Sequence, residues 1–199
     1  MKDKNALIVI AKYPEKGQVM TRLAGDMTDG KRLELYLILL HQTLERLVSV
    51  HNTDTFIAFA PDTAGGYFSR FQLNLLPLPE GDLGKRMLHA FREVFIRGYK
   101  KAALVGVDIP ELSPAVVEDA FTALSDNDVV FGPAEDGGYY LIGMKKPFDG
   151  LFEGIPWSSA VTLEKSVKKA KEAGCTVAFT VKLSDIDTID DVRRTGISP

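Results

Sequence analysis

Asp108 closes an apolar run, Ala102-Ala103-Leu104-Val105-Gly106-Val107, and Ile109-Pro110 turns the chain immediately after it. A carboxylate there stands at the C-terminal mouth of a buried strand, the edge of an open α/β sheet at which ligands bind. A second acidic cluster, Asp185-Ile186-Asp187-Thr188, follows another apolar stretch over 176–181. Mg²⁺ is commonly held by one or two carboxylates together with substrate phosphates, so Asp108 with Asp187 as its assistant is a sufficient ligand pair for a divalent cation. Each residue also has a plainer reading. Asp108 fits a turn residue that accepts backbone hydrogen bonds, and Asp187-Thr188 fits the cap of a helix over 189–194.

The loop over 12–23 brings Lys12, Lys16 and Arg22 close to the end of the first apolar run. Lysine offers a compact charge and arginine a planar fork, so Lys12 and Arg22 suit the two ends of a diphosphate. The Gly-x-x-x-x-Gly-Lys spacing of a P-loop is absent, and a solvated loop with surface lysines is the competing reading. Gly81-Asp82-Leu83-Gly84-Lys85-Arg86 opens a helix and can offer N–H groups to an anion or a nucleotide, although Asp82 as an ordinary cap explains the same letters. In Gly132-Pro133-Ala134-Glu135-Asp136-Gly137-Gly138-Tyr139-Tyr140, the paired glycines let the backbone approach a ligand while Asp136 presents a carboxylate. A hairpin turn at Asp136-Gly137-Gly138 is the alternative, and Gly132-Pro133 argues against a simple two-residue version of it. Trp157 can stack on a substrate or pack over the core. His41, His51 and His89 have no metal-ligand spacing, so no zinc site is expected.

These residues need a scaffold, and the hydropathy pattern supplies one. The continuous apolar run at 6–11 reads as a strand buried on both faces, the apolar run at 102–107 as another buried strand, and 54–60 and 128–131 as further strands. The stretch over 73–78 is a weaker strand placed near an edge, because Pro77 and Pro79 cannot donate to a ladder. Leu33, Tyr36, Leu37, Leu40, Leu44 and Leu47 form a helical stripe over 31–50, and Leu83, Met87, Phe91 and Val94 form another that stops before Gly98. Ser113-Pro114 starts a third helix, 161–173 a fourth, and 139–144 and 175–181 complete the strands. The alternation predicts a three-layer α/β/α fold with a mostly parallel sheet.

The chain of 199 residues is long enough for one α/β domain, and a single domain over 1–199 is expected. A net charge of −3 gives no field for a polyanion, so nucleic acid is not an expected partner. One cysteine, Cys175, excludes an internal disulfide, and no apolar run reaches membrane-spanning length; a soluble cytoplasmic protein is expected.

Taken in order along nearly the whole chain, Ile10-Ala11-Lys12 through Thr21-Arg22-Leu23, Gly81-Asp82-Leu83-Gly84, Gly106-Val107-Asp108-Ile109-Pro110, the run over 132–140, Ile155-Pro156-Trp157-Ser158 and Asp185-Ile186-Asp187-Thr188 resemble a bacterial family. It is the radical-SAM/selenodomain-associated glycosyltransferase-like proteins, within the nucleotide-diphospho-sugar transferase superfamily. The resemblance implies a GT-A type, Rossmann-like mixed sheet with one strand reversed, here 139–144. It implies a nucleotide or nucleotide-sugar donor with Mg²⁺ or Mn²⁺ at Asp108, completed by Asp187 as in relatives that transfer nucleotides. The leading expectation is a metal-dependent transferase that glycosylates a small acceptor from a nucleoside-diphosphate sugar. Asp136 would then deprotonate or orient the acceptor hydroxyl, with Gly137, Gly138, Tyr139 and Trp157 on the acceptor side and Gly81, Gly84 and Arg86 on the nucleotide. The first loop is also similar to the lysine/arginine loop of phospholactate guanylyltransferases. Guanylyl or cytidylyl transfer to a phosphate-bearing small molecule is therefore the alternative, and a non-catalytic nucleotide-binding protein a third. Two departures stand out: Met20 occupies a position often held by lysine, and Asp108-Ile109-Pro110 is not an Asp-x-Asp.

Overall fold

The computed structural model describes residues 3–199. Along the chain run β1 (Asn5–Lys12), α1 (Asp29–Leu47), β2 (Thr53–Ala60), the single turn α2 (Gly65–Phe68), β3 (Asn74–Pro77), α3 (Leu83–Ile96) and β4 (Ala102–Val105). Then follow α4 (Pro114–Ala123), β5 (Val129–Pro133), β6 (Tyr139–Met144), α5 (Thr162–Glu172), β7 (Val177–Phe179) and α6 (Ile189–Thr195). The strands form one sheet in the order β3-β2-β1-β4-β6-β5-β7. β6 is antiparallel to both of its neighbours, β4 and β5, and the other pairings are parallel. The expected reversed strand and the expected edge position of β3 are both present.

Successive side chains of a strand point to opposite faces, so a continuous apolar strand feeds two cores. Leu7, Val9 and Ala11 of β1 pack with Tyr36, Leu40 and Leu44 of α1 and Val117 and Phe121 of α4. Ala6 and Ile8 pack on the other face with Met87, Phe91 and Val94 of α3 and Ala170 of α5. The result is the three-layer α/β arrangement that the alternating pattern predicts. Helix starts follow the local chemistry: Thr28, Asp82 and Ser113 cap α1, α3 and α4 through their side chains. Gly98, at φ 90°, takes the left-handed step that ends α3.

The last strand is shorter than the 175–181 run suggests. Cys175 donates its N–H to Ala170 O at 2.9 Å, so it closes the end of α5 and is not a ladder residue. Gly132-Pro133 also has a structural explanation. β5 and β6 do form a hairpin, but its register shifts at Gly132/Pro133, and a side chain at Gly132 would fall 2.5 Å from the Tyr140 ring. The bulge and the ring explain the unusual letters without excluding a turn. Chain crossovers leave β1 toward β2 on one side while β4 lies on the other, which makes the C-terminal ends of β1 and β4 a topological switch point. Among the described residues no helix is long and apolar enough to cross a membrane.

Candidate functional site

A cavity of about 420 Å³ opens over that switch point, and its walls include Lys12, Arg22, Asp108, Asp136, Asp185 and Asp187. Main-chain bonds carry the acids there. Leu183 N–H donates to Pro133 O at 3.1 Å, Glu135 N–H to Leu183 O at 3.1 Å, and Ile186 N–H to Asp108 O at 3.0 Å. The segment after β7 is thereby laced between the hairpin and the end of β4. Ile186 is 2% exposed and packs with Leu23, Leu35, Leu39 and Val192. In an extended segment its two neighbours must then point the other way, so Asp185 and Asp187 share one face. One oxygen from each of Asp136, Asp185 and Asp187 lies within 4.8 Å of the others.

Each acid is held by something other than its own charge. Asp136 Oδ1 accepts from Gly138 N–H at 2.8 Å, so it is at once a turn residue and a wall residue. Thr188 is the N-cap of α6 and forms a capping box with Asp191, which leaves the Asp187 carboxylate for the cavity. The loop bearing Asp108 is fastened to α1. Thr43 Oγ1 donates to Val107 O at 3.2 Å, and Arg46 donates to the carbonyls of Pro110 and Leu112.

The cationic loop closes over the acids from the other side. Arg22 pairs with Asp187 and, at 3.4 Å, with Asp136. Arg32, only 4% exposed, holds the loop by donating to Val19 O at 3.1 Å and Met20 O at 3.4 Å while pairing with Asp29. Met20 takes the left-handed conformation (φ 48°) and packs between two apolar clusters, so its side chain replaces a possible cation with a hydrophobic wedge. The Tyr36 hydroxyl accepts from Lys12 N–H at 2.8 Å and donates to Lys12 O at 2.9 Å, which fixes the mouth of β1.

The electrostatics reflect burial first and crowding of like charge second. Burial, then Asp187 and Asp136, push the Asp185 carboxyl up to about 7. Asp108 is also raised, first by burial and then by Asp187 and Asp136, with Arg22 opposing. Arg22 loses to burial but gains more from Asp187 and Asp136, and its net shift is upward.

Of the residues singled out in the sequence, Lys12, Arg22, Arg86, Asp108, Asp136, Gly138, Tyr139, Trp157 and Asp187 line this cavity. Lys16, Gly81, Gly84 and Gly137 are absent from its walls. Gly84 serves packing: a Cβ there would lie 2.8 Å from both Phe152 O and the Trp157 ring. Gly137, at φ 87°, passes so close to Ala160 O that a side chain could not be placed, and its carbonyl accepts from Leu163 N–H at 3.0 Å. Trp157 covers the start of α3 and also lines the cavity. Asp185 is the residue that sequence reasoning left without a role. Its signal was the i, i+2 spacing with Asp187 across an apolar residue.

The family described as "Uncharacterized protein conserved in bacteria (DUF2064)" matches residues 43–159. The chain belongs to this family. Asp108 and Asp136 fall inside the matched span, while Lys12, Arg22, Asp185 and Asp187 lie outside it. Among solved structures, a protein from Desulfovibrio desulfuricans G20 described as a candidate nucleotide-diphospho-sugar transferase is 33% identical, with a TM-score of 0.86, over 92% of this chain and 82% of its own. The 2-phospho-L-lactate guanylyltransferase of Methanopyrus kandleri is 26% identical over 195 residues, 92% of this chain and 87% of its own. The 4-diphosphocytidyl-2C-methyl-D-erythritol synthase of Anaerococcus prevotii DSM 20548 shares the fold at 12% identity, with a TM-score of 0.64 over 96% of this chain and 94% of its own. This chain thus shares its mixed-sheet fold with structures described as a nucleotide-diphospho-sugar transferase and a nucleotidyltransferase-type synthase.

Proposed function

We propose that the chain is a metal-dependent nucleotidyltransferase that joins the nucleotidyl group of a nucleoside triphosphate to a phosphate-bearing small molecule in the cytoplasm. The observation that carries this reading is the convergence of Asp108 with the carboxylates of Asp136, Asp185 and Asp187, faced by Lys12 and Arg22, at one sheet edge. The similarity to a guanylyltransferase over 92% of this chain supports nucleotidyl transfer above glycosylation, the leading expectation from the motifs.

The donor set consists of hard carboxylate oxygens, which fits Mg²⁺ or Mn²⁺. Asp185, Asp187 and Asp108 would hold the cation, which when bound neutralises phosphate charge and acts as a Lewis acid. The residues of the chain do the rest. Lys12 receives the outer phosphates as a point charge, and Arg22 can turn its fork from the acids to phosphate oxygens. The acceptor phosphate oxygen attacks the α-phosphorus, a new P–O bond forms, and the bond to the leaving pyrophosphate breaks. A phosphate acceptor is already ionised at neutral pH, so this step needs no general base.

Acceptor-dependent pyrophosphate release from a triphosphate with Mn²⁺ tests the proposal. Release of nucleoside diphosphate from a sugar nucleotide would reject it. Glycosyl transfer is the second reading, favoured by the description of the Desulfovibrio protein and by the radical-SAM/selenodomain-associated family that the motifs resemble. Asp136→Asn separates the two. With a hydroxyl acceptor, loss of a general base is expected to cost about 10²- to 10⁴-fold in rate, whereas transfer to a phosphate acceptor is expected to fall far less.

A further inference from the structure

Arg86 sits in the first turn of α3 and reaches the cavity wall half-buried. Among the described residues its guanidinium makes no ion pair or hydrogen bond, and its Nε is sealed from solvent without a partner. Arg22, in the same cavity, is matched to two carboxylates. A buried donor left unsatisfied costs stability, which a ligand supplying acceptors recovers.

The surroundings narrow the ligand. Arg86 enters the cavity from the start of α3, whereas the acids rise from the end of β4, the β5–β6 hairpin and the segment after β7. Beside it on α3 stand Leu83 and Met87, Trp157 covers the start of that helix, and Ala60 and Leu78 add apolar surface to the same cavity. A flat ring suits that slot, with its phosphates extending toward Lys12 and Arg22.

We propose that Arg86 reads the base of the nucleotide, selecting one that presents two adjacent hydrogen-bond acceptors to its planar fork. Guanine does so through O6 and N7, the bidentate partner that arginine takes most often. Cytosine offers the same chemistry through O2 and N3, although its O2 is crowded by the neighbouring ribose. Adenine sets a donor beside N7, and uracil alternates acceptors with a donor, so neither satisfies the fork. The proposal rests on the nucleotidyl-transfer reading.

Calorimetric titration of GTP, CTP, ATP and UTP, each with Mn²⁺, into the parent, Arg86→Gln and Arg86→Lys tests it. The parent is expected to bind GTP, or else CTP, about tenfold to hundredfold more tightly than ATP and UTP. Arg86→Gln is expected to lose that margin with little change toward ATP and UTP. Arg86→Lys keeps the charge without the fork and recovers only part of the margin; it also carries the test should the glutamine variant not fold. A parent that shows no base preference overturns the proposal, as does an equal loss for all four nucleotides, which would mark a phosphate or packing role. Absence of binding by any of the four removes the nucleotidyl-transfer reading and this assignment together.

Discussion

The two walls of the cavity are built by different means. On the acid wall, Asp108, Asp136, Asp185 and Asp187 are brought together by main-chain bonds between the end of β4, the hairpin and the segment after β7, and Arg22 partly neutralises them. On the α3 wall, side chains interlock: Gly84 lies beneath Trp157 and Phe152, Met87 enters the core, and Arg86 has no polar partner among the described residues. Carboxylates repel, so a backbone held by hydrogen bonds must keep them in reach of one another, and the Asp185 carboxyl is raised first by its burial and then by the charges of Asp187 and Asp136. A ring can be recognised by shape and one oriented fork, for which packing suffices. The contrast implies that damage to the first wall removes charge chemistry, while damage to the second removes fit.

The sharpest break of that contrast is at Asp187. Asp187→Asn is expected to lower metal-dependent turnover by about 10²- to 10³-fold, the scale of losing one electrostatic stabiliser in a closed site, with an unchanged circular dichroism spectrum. Asp108→Ala is likewise expected to abolish Mn²⁺-dependent nucleotide binding, and a full-affinity titration in that variant would sink the assignment of the acid wall. On the other wall, Gly84→Ala forces a methyl against Phe152 O and the Trp157 ring. Overpacking of this kind costs about 1–3 kcal/mol, readable as a lower urea midpoint. Nucleotide affinity should fall with it, while Mn²⁺ binding to the acids persists.

The smallest effect is a pH dependence. The Asp185 carboxyl is raised in the folded protein to about 7, from an unfolded value of about 4. Between those values the unfolded chain binds fewer protons than the folded one, so stability declines as pH rises through the window. The metal-free protein is therefore expected to melt a few degrees below Asp185→Asn near pH 8 and at about the same temperature near pH 4. A parent that gains stability relative to Asp185→Asn between these pH values would show that the acids are not crowded as described.

Much of the scaffold was legible in the chain because burial imposes a period. The doubly apolar runs of β1 and β4, the α1 and α3 stripes, and the prolines that mark β3 as an edge each follow from which faces meet water. The candidate acids were legible too, as carboxylates placed at strand ends. What the one-dimensional pattern could not supply was pairing across large separations. Asp185 gained its place only when Ile186 N–H met Asp108 O, which set that acid and Asp187 on the cavity face. Gly84 and Arg86 illustrate the same limit: the letters of a helix start are alike whether they cradle an anion, pack under a tryptophan or face a ring. Local order is determined by neighbours in sequence, but partnership is determined by the folded chain, because hydrogen bonds and charge depend on distance in space.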